Sequence, residues 1–471
     1  MQFVADLHLH SKYSRAVSQQ MILPEMARWA VKKGIHLLST GDWTHPLWFR
    51  EIRSQLEEKT EGLYGLKSQI TNHKSQINSN DQNSNDQKEP LFLLSAEIAS
   101  IYKQGEKLRR IHNLLFAPSF EIANKINQVL IGRGCNLGSD GRPIIGLSSH
   151  DLLELVLEVD KRVILIPCHA WTPHFGIYGS ASGFDSINEC FGDLSGFVYA
   201  IETGISSDPW MNWQIPELEN RSILSFSDAH SNPKMAREAT VFSIEKSLDT
   251  LSYSDIGKAI VAQMKIEDRR WKMENTSRIA YTIEFYPEEG KYHFTGHRNC
   301  KIIRSPKEIK ESGNICPVCA NRLTEGVMYR VQELAKVGED FKPYDSHIDE
   351  NGVLWIDDPK KIHPSFVRLV PLNEIVAESI ESSVASEKVR IKFDDMCRKF
   401  GSEIEILLKT KISDIELSYG GKIAEGIARV RKGNIDINPG FDGEYGKVRI
   451  WEDKPAISIQ KDNSEKQLGL F

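Results

Sequence analysis

The stretch Asp6-Leu7-His8-Leu9-His10 constrains this chain more than any other feature of its sequence. Because strand side chains alternate between two faces, a strand here places Asp6, His8 and His10 on one face. Two imidazoles one residue apart at a strand end can point at one metal ion. A strand whose polar residues merely alternate is the other interpretation. We expect Asp6 to orient a histidine rather than to bind metal itself.

Composition is that of an ordinary globular protein. The chain has 471 residues, 40% hydrophobic and 26% charged, which leaves room for roughly two to four domains. It has no run of eighteen apolar residues and no basic stretch before an apolar one near residue 1, so neither a membrane span nor a secretory signal is expected. Seven cysteines, an odd number with clustered spacing, favour a reducing cytoplasm over a disulfide framework. A net charge of −6 neither indicates nor excludes binding to nucleic acid.

A helix and then a strand are predicted directly after the opening motif. Residues 23–34 are typical of a helix, and residues 35–40 of a short strand that leads to Asp42 and His45. In parallel α/β sheets, sites form at the carboxyl ends of the strands. Asp42 and His45 are therefore candidate metal ligands.

The same arrangement recurs along the first half of the chain. A further predicted strand, 197–203, ends near Glu202. Metal-capable side chains also lie on or after the apolar runs that begin near residues 91, 110, 163 and 223, namely Glu97, His112, His169, Asp228 and His230. Any one of them has an ordinary explanation as a core histidine or a capping carboxylate. Their recurrence predicts a barrel-like α/β fold with a polynuclear metal site.

Four motifs together resemble the PHP family (polymerase and histidinol phosphatase) over roughly residues 1–260. They are Asp6-Leu-His8-Leu-His10-Ser, Ser-Ala-Glu97, Pro-Cys-His169 and Ser-Asp228-Ala-His230. The resemblance implies a distorted (β/α)7 barrel with two or three divalent metals, zinc, manganese or magnesium. It also implies the ligand set His8, His10, Glu97, His112, His169, Asp228 and His230, with Glu97, His169 and Asp228 as the catalytic residues. Two metals about 3.5–4 Å apart can activate water and stabilise the leaving oxygen of a phosphodiester.

One departure from the PHP pattern leaves the third metal open. The family often has Thr-Asp-His after the second strand, whereas this chain has Gly41-Asp42-Trp43. His45, three residues beyond Asp42, either substitutes for the missing histidine or serves another role.

A second metal site is predicted in the distal half. His297-x2-Cys300 and Cys316-x2-Cys319 are separated by fifteen residues, a zinc-ribbon-like spacing with one cysteine replaced by histidine. Free cysteines in a loop are the alternative, and His293 competes with His297 as the fourth ligand. Since four protein ligands close the site, we expect one structural zinc with no catalytic role.

Motifs from both halves together resemble the endonuclease Q family over nearly the whole length. They include Gly-Asp42-Trp-Thr-His45-Pro, Tyr-His293-Phe-Thr-Gly-His297-x-x-Cys300, Val-Pro-Leu-Asn-Glu-Ile and Pro-Gly-Phe-Asp-Gly-x-Tyr-Gly. That family cuts DNA on the 5′ side of deaminated bases (uracil, hypoxanthine, xanthine) and of abasic sites. The resemblance implies this activity for the chain, and with it a cytoplasmic, nucleoid-associated location.

Aromatic residues follow His169 closely. A damaged base must leave the helical stack to be inspected, so a pocket is expected beside the metals. Trp171, Phe175 and Tyr178 are candidates for stacking on such a base. A packed loop that supports the mouth of the barrel is the alternative.

The chain is predicted to divide into four parts. These are a PHP nuclease domain (1–262, with a flexible insertion at 68–89), a zinc-binding module (279–330), a mainly helical DNA-contacting domain (331–454) and a flexible tail (455–471). The tail ends in Gln467-Leu468-Gly469-Leu470-Phe471, which resembles a sliding-clamp-binding peptide. Gln467, Leu468, Leu470 and Phe471 are its expected contacts with the clamp.

Two other functions fit the same motifs. A phosphatase of small phosphomonoesters would use the same metal ligands, although it would not need the long distal half. A non-catalytic, clamp-associated DNA-binding module would carry metals for structure alone.

Overall fold

The structure is a computed structural model that describes residues 1–68, 89–264, 277–335 and 341–451. Apart from residues 68 and 89, the predicted insertion lies outside the described residues, and so does the whole tail with its clamp motif. In the described ranges the strands are β1 (Gln2–Asp6), β2 (Leu37–Ser39), β3 (Leu56–Thr60), β4 (Leu63–Leu66), β5 (Leu91–Gln104), β6 (Lys107–Ala117), β7 (Ile144–Ile145), β8 (Ile164–Pro167), β9 (Ala200–Glu202), β10 (Ser222–Leu224), β11 (Ala239–Ser243), β12 (Arg278–Glu284), β13 (Thr295–His297), β14 (Ile302–Arg304), β15 (Asp345–Ile348), β16 (Leu354–Asp357), β17 (Phe366–Arg368), β18 (Asp436–Asn438) and β19 (Lys447–Arg449). The helices are α1 (Leu23–Lys33), α2 (Pro46–Gln55), α3 (Phe120–Gly132), α4 (Ser149–Val159), α5 (Ile187–Phe191), α6 (Pro209–Asn212), α7 (Tyr253–Val261), α8 (Pro306–Ser312), α9 (Val327–Ala335), α10 (Leu372–Ser379), α11 (Glu387–Phe400), α12 (Glu403–Leu408), α13 (Ile412–Tyr419) and α14 (Gly421–Arg431).

The largest sheet is mixed, and β1 lies at its centre. β1 pairs in parallel with β2 and antiparallel with β11, and β2 pairs in parallel with β5. β6 lies antiparallel between β5 and β8. The strands β1, β2, β5 and β8 therefore run in one direction. The metal-binding residues predicted after these strands are therefore expected on the same side of the sheet. β9 and β10 form a separate parallel pair.

Alternate side chains of the strands pack on opposite faces of this sheet. On β5, Phe92 and Leu94 join one buried cluster, whereas Leu91 and Leu93 join the other. The first cluster also contains buried residues of α1 to α4, and the second contains those of α7. Because both faces are covered, the strands have nearly continuous apolar sequences, as is typical of parallel sheets buried on both sides.

β5 extends beyond the residue at which the sequence predicted its end. The apolar run predicted a strand that ends at Glu97, but β5 continues to Gln104. The reason is its long antiparallel partner β6, which pairs with it from Glu97 opposite Leu114 to Gln104 opposite Lys107. Glu97 therefore lies in the middle of a strand, with its side chain fully buried.

The distal half extends the sheet and adds a helical layer. β12 pairs with β11, and β17 pairs with β12. The helices α10 to α14 surround a separate apolar core. The predicted α/β class with a helical C-terminal part is therefore confirmed. Among the helices of the described ranges, none is both long and apolar enough to cross a membrane.

Helix α1 contacts this C-terminal layer through two lysines. The Nζ atom of Lys33 lies 2.5 Å from Oε2 of Glu403, and both side chains are almost completely buried. Glu403 also accepts a hydrogen bond from the backbone N–H of Leu372 at 2.8 Å. Lys32 makes a more exposed pair with Asp394 at 2.6 Å. The buried pair links the first half of the chain to the helical layer.

Substitution of Lys33 tests how strongly this pair holds the two halves together. Lys33→Met leaves the Glu403 carboxylate buried without its counter-ion, so we expect a loss of about 3 kcal/mol in the free energy of unfolding. Lys32→Met removes the same charge from a partly exposed pair and should cost about 1 kcal/mol or less. Urea titrations followed by tryptophan fluorescence compare the two variants. Equal losses would contradict a special role for the buried pair.

Candidate metal centre

Glu97 lies at the centre of a buried cluster of histidines and carboxylates. Its Oε2 atom is 3.2 Å from His10 Nε2, and its Oε1 atom is 3.0 Å from His169 Nε2 and also contacts His112 Nδ1. His8 Nε2 lies 3.7 Å from Glu97 Oε2. The two oxygens of one carboxylate thus face two different groups of imidazoles, an arrangement typical of a carboxylate that bridges two cations.

Several sets of donor atoms are close enough to share metal ions, and three of them are linked through Glu97 or His10. In each set the ligand atoms lie within 4.8 Å of one another. The three linked sets are His8, His10 and Glu97; Glu97, His112 and His169; and His10, Asp228 and His230. Since neighbouring sets share Glu97 or His10, the cluster is continuous rather than three separate sites.

Carboxylates behind the first two histidines fix the orientation of their rings. His8 Nδ1–H donates to Glu202 Oε1 at 2.9 Å, and His10 Nδ1–H donates to Asp42 Oδ1 at 3.0 Å. The other oxygen of Asp42 accepts hydrogen bonds from the hydroxyls of Ser11 and Ser14. Each ring therefore presents Nε2 to the cluster, as metal-binding histidines with a carboxylate partner do.

His8 Nε2 is a buried nitrogen atom without a hydrogen-bond partner among the described residues. Since the Nδ1–H group donates to Glu202, Nε2 is the ring nitrogen that would give its lone pair to a metal ion. A buried polar atom without a partner costs free energy, and native proteins rarely contain one without a reason. A metal ion that accepts this lone pair is the explanation that fits the surrounding donors.

Three residues of the cluster have a backbone conformation that is rare outside glycine. The φ angles of Asp42, His169 and Asp228 are 48°, 32° and 46°. A Cβ atom at Gly204 would lie 2.4 Å from the Cβ of His169. Only glycine therefore allows the backbone at position 204 to pack this closely against His169. Strained backbone of this kind concentrates at functional sites.

The carboxylates favour positive charge in the cluster. Burial opposes protonation of His8 and His10, but the neighbouring carboxylates raise the pKa of both imidazoles well above the usual value. Burial also opposes ionisation of Asp228 and Glu97, yet the adjacent cationic groups keep the pKa of both carboxyls low. Burial lowers the pKa of His112 to about 4, although the adjacent Glu97 carboxylate acts in the opposite direction. Divalent cations would compete with protons for such a site.

Two residues predicted near the metals make other contacts. His45 caps α2, where its Nδ1 atom accepts a long hydrogen bond from the backbone N–H of Trp48, and its ring stacks on Tyr13 at 4.6 Å. The expectation that Asp6 orients a histidine through a hydrogen bond was wrong. Its carboxylate instead accepts hydrogen bonds from Ser227 and from the backbone N–H of Ala236. Asp6 therefore supports the loop that carries Asp228.

The three aromatic candidates lie in different environments. Trp171 and Tyr178 are buried and stack on each other with ring centroids 4.7 Å apart. Tyr178 also donates a hydrogen bond to Glu217 at 2.8 Å. Only Phe175 is partly exposed, and its ring centroid is 4.3 Å from that of His112. The packed-loop alternative therefore describes Trp171 and Tyr178, and Phe175 is the one next to the cluster.

Glu202, predicted only to lie near a strand end, and Arg142, which no sequence motif indicated, also reach the cluster. Glu202 ends β9 and also accepts the backbone N–H of His169 at 2.9 Å. The position of Glu202 at a strand end was a sequence signal of the same kind as that of the predicted ligands. Arg142 lies in a loop and donates to Glu97 Oε2 at 3.2 Å. No periodic pattern precedes it, so the sequence held no comparable signal.

The distal cysteines form a second, separate group. His297, Cys300, Cys316 and Cys319 have their ligand atoms within 4.8 Å of one another. His293, the predicted competitor, is buried and stacks on Phe294. The residues that follow each second cysteine, Lys301 and Ala320, have φ angles of 54° and 59°. These left-handed residues turn the chain directly after Cys300 and Cys319, the second ligand of each pair.

The fold is that of an enzyme of the nuclease class. The structure is similar to that of the lesion-specific endonuclease PfuEndoQ from Pyrococcus furiosus, with a TM-score of 0.75 and 27% identity over 99% of this chain and 100% of that chain. It is also similar to endonuclease Q in complex with a 27-mer duplex containing an abasic lesion, with a TM-score of 0.75 and 28% identity over 98% of this chain and 100% of that chain. The predicted resemblance to endonuclease Q is thereby confirmed.

Sequence comparisons match shorter stretches of this chain. A family model described as the MJ0043 C-terminal domain matches residues 371–434. The uncharacterized protein MJ0043 of Methanocaldococcus jannaschii is 30% identical over 285 residues, 59% of this chain. The chain spans only 31% of the length of that relative.

Removal of the carboxylate behind His8 tests its role in metal binding. Glu202→Gln weakens the acceptor that fixes the His8 ring, so we expect metal affinity at the central cluster to fall about 10- to 100-fold. Metal competition with a chelating dye measures this affinity directly. Glu217→Gln removes a carboxylate that bonds to Tyr178, away from the cluster, and should leave affinity unchanged. Equal effects of the two substitutions would contradict the assignment.

Proposed function

We propose that this chain is a metal-dependent DNA repair endonuclease that hydrolyses the phosphodiester 5′ of deaminated bases and of abasic sites. The observation that carries the proposal is the bridging position of Glu97 between two groups of imidazoles, in a chain with the endonuclease Q architecture. One of the similar structures is a complex with DNA that contains an abasic lesion at the active site. This similarity supports DNA, rather than a small phosphomonoester, as the substrate.

Two or three divalent cations fit the donor atoms of the cluster. The residues that would hold them are His8, His10, Glu97, His112, His169, Asp228 and His230. Asp42 and Glu202 would orient His10 and His8 from behind. Mixed nitrogen and oxygen donors suit zinc or manganese, and magnesium where oxygen dominates. We further propose that residues 1–262 form a PHP-type distorted (β/α)7 barrel around this centre.

The cations would supply an activated water and stabilise the leaving oxygen. The contribution of the chain is to hold the reacting groups. Asp228 has 30% of its side chain exposed, whereas the side chains of Glu97 and His8 are fully enclosed, so a phosphodiester meets the cluster at Asp228. His169, next to Glu97, is fixed from two sides by Thr172 and Glu202. Glu97, His169 and Asp228 are thus our proposed catalytic residues.

The remaining parts of the chain are assigned supporting roles. The group of His297, Cys300, Cys316 and Cys319 matches the ligand types of a structural zinc, because four protein ligands leave no open position. We assign residues 279–330 to this zinc module and 331–454 to a DNA-contacting domain. The tail at 455–471, with Gln467, Leu468, Leu470 and Phe471, is proposed to bind the sliding clamp, which would raise the local concentration of the enzyme on DNA.

A nicking assay tests the proposed reaction. A duplex with one uracil and a duplex with one abasic site are incubated with the protein and with zinc, manganese or magnesium. We expect a single nick 5′ of the lesion, lost on the order of a thousandfold in Asp228→Asn because that variant lacks a metal-binding carboxylate. Asp193→Asn, a change at an exposed carboxylate bonded to His150, should nick normally. No nicking with any of these metals would refute the proposal.

Phe175 provides a test of the base pocket. If its ring stacks on the extruded base, Phe175→Ala should lower kcat/KM on the uracil duplex by about 5- to 150-fold, the equivalent of about 1–3 kcal/mol per stacked base. An abasic site has no base to stack, so its loss should be much smaller. His174→Ala, at the exposed neighbouring residue, is the control. Equal losses on both duplexes would show that Phe175 only supports the cluster.

A further inference from the structure

We propose that Arg142 binds the scissile phosphate of the DNA, as a catalytic residue that contacts the non-bridging oxygens of that group. The inference rests on the proposed function, because it names a substrate contact of the same site. Arg142 belongs to no element of regular structure, since it lies in the loop between α3 and β7.

The backbone of this loop is held firmly against the metal centre. The N–H of Gly141 donates to the carbonyl of Tyr13 at 3.1 Å, and the hydroxyl of Thr44 donates to the carbonyl of Gly141 at 3.3 Å. The N–H of Ala99, on β5, donates to the carbonyl of Pro143 at 3.0 Å. Arg142 is therefore fixed on both sides of its position in the chain.

Gly141 allows the loop to approach this closely. A Cβ atom there would lie 2.4 Å from Oδ2 of Asp42 and 2.3 Å from Oγ of Ser14. Any side chain at position 141 would push the loop away from the carboxylate that orients His10. The close approach brings the Arg142 side chain to the cluster.

The side chain of Arg142 connects the surface to the centre of the cluster. Its Nη1 donates to Oε2 of Glu97 at 3.2 Å, and 24% of the side chain is exposed while that of Glu97 is fully buried. A guanidinium has five N–H donors in a planar fork. The side chain of Arg142 makes this single hydrogen bond among the described residues, so further donors are available to a ligand on the open side.

The charge of Arg142 matches a phosphodiester better than it matches Glu97 alone. When cations are bound, Glu97 shares its negative charge with them, whereas the guanidinium stays fully charged. Arg142 and Asp228 are both partly exposed, and His10 Nε2 lies 3.0 Å from Asp228 Oδ1 and 3.2 Å from the same Glu97 oxygen that Arg142 contacts. An anion that spans the two positions gains a charge-assisted and, in the best geometry, bidentate contact. That contact strengthens as negative charge develops on the phosphate oxygens.

Neutral phosphate analogues separate this role from a structural one. In an Asp228→Asn background, binding is measured by fluorescence anisotropy with two uracil duplexes. One carries the native phosphate 5′ of the uracil, and the other a neutral methylphosphonate at that position. Arg142→Gln should weaken binding of the native duplex about 10- to 100-fold, the effect of one hydrogen bond to a charged group, and leave the methylphosphonate duplex nearly unchanged. Arg142→Lys should restore part of the loss because it keeps the charge.

Controls keep the outcomes distinct. Arg133→Gln removes one positive charge from an exposed position after α3 and should affect both duplexes equally. Metal content and thermal unfolding of Arg142→Gln report whether the centre is intact. If Arg142→Gln weakens both duplexes equally, or weakens neither, the inference is wrong even though the unsubstituted chain nicks uracil DNA. If the unsubstituted chain nicks no lesion, the proposed function itself fails.

Discussion

The two oxygens of the Glu97 carboxylate determine what the rest of the structure has to provide. One oxygen faces His10 and Arg142, and the other faces His112 and His169. These partners come from the residues that follow β1 and β8, from β6, and from the loop between α3 and β7. A fully buried carboxylate is costly unless charges compensate it on both sides. The wide mixed sheet meets this requirement because it brings several strands to one carboxylate.

Supporting contacts extend this dependence outward. Glu202 holds both His8 and the backbone of His169, so one residue of β9 fixes two ligands. Arg330, on α9 of the distal half, donates to the carbonyls of Tyr178 and Phe184 and pairs with Asp185. The loop that carries Phe175 is thereby tied to the distal half as well as to the cluster. The distal half thus helps to position the loop that carries Phe175.

The sequence predicted those features that depend on local patterns. The helix over 23–34 and the following strand agree with α1 and β2, because a proline in the first turn and Gly34, with a φ angle of 85°, mark the ends of that helix. The residues at the ends of apolar runs do meet in one cluster. The helix, the strand and each metal-capable residue beside an apolar run are encoded within a dozen residues, and for that reason they are visible without coordinates.

Other features depend on contacts between distant residues and were not predictable. The pair of His8 and Glu202 joins positions 194 residues apart. Asp6 accepts a hydrogen bond from Ser227, a residue of the loop after β10. The continuation of β5 past Glu97 depends on its pairing with β6. Arg142 reaches Glu97 only because Gly141 permits a close approach. In each case the partner, rather than the residue itself, determines the outcome.

Anomalous diffraction from crystals grown with manganese or zinc tests the central claim most directly. The account predicts strong peaks on both sides of the Glu97 carboxylate, one within reach of His8 and His10 and one within reach of His112 and His169. Peaks confined to His297, Cys300, Cys316 and Cys319, in a preparation that nicks lesion-containing DNA with the same metal, would contradict it.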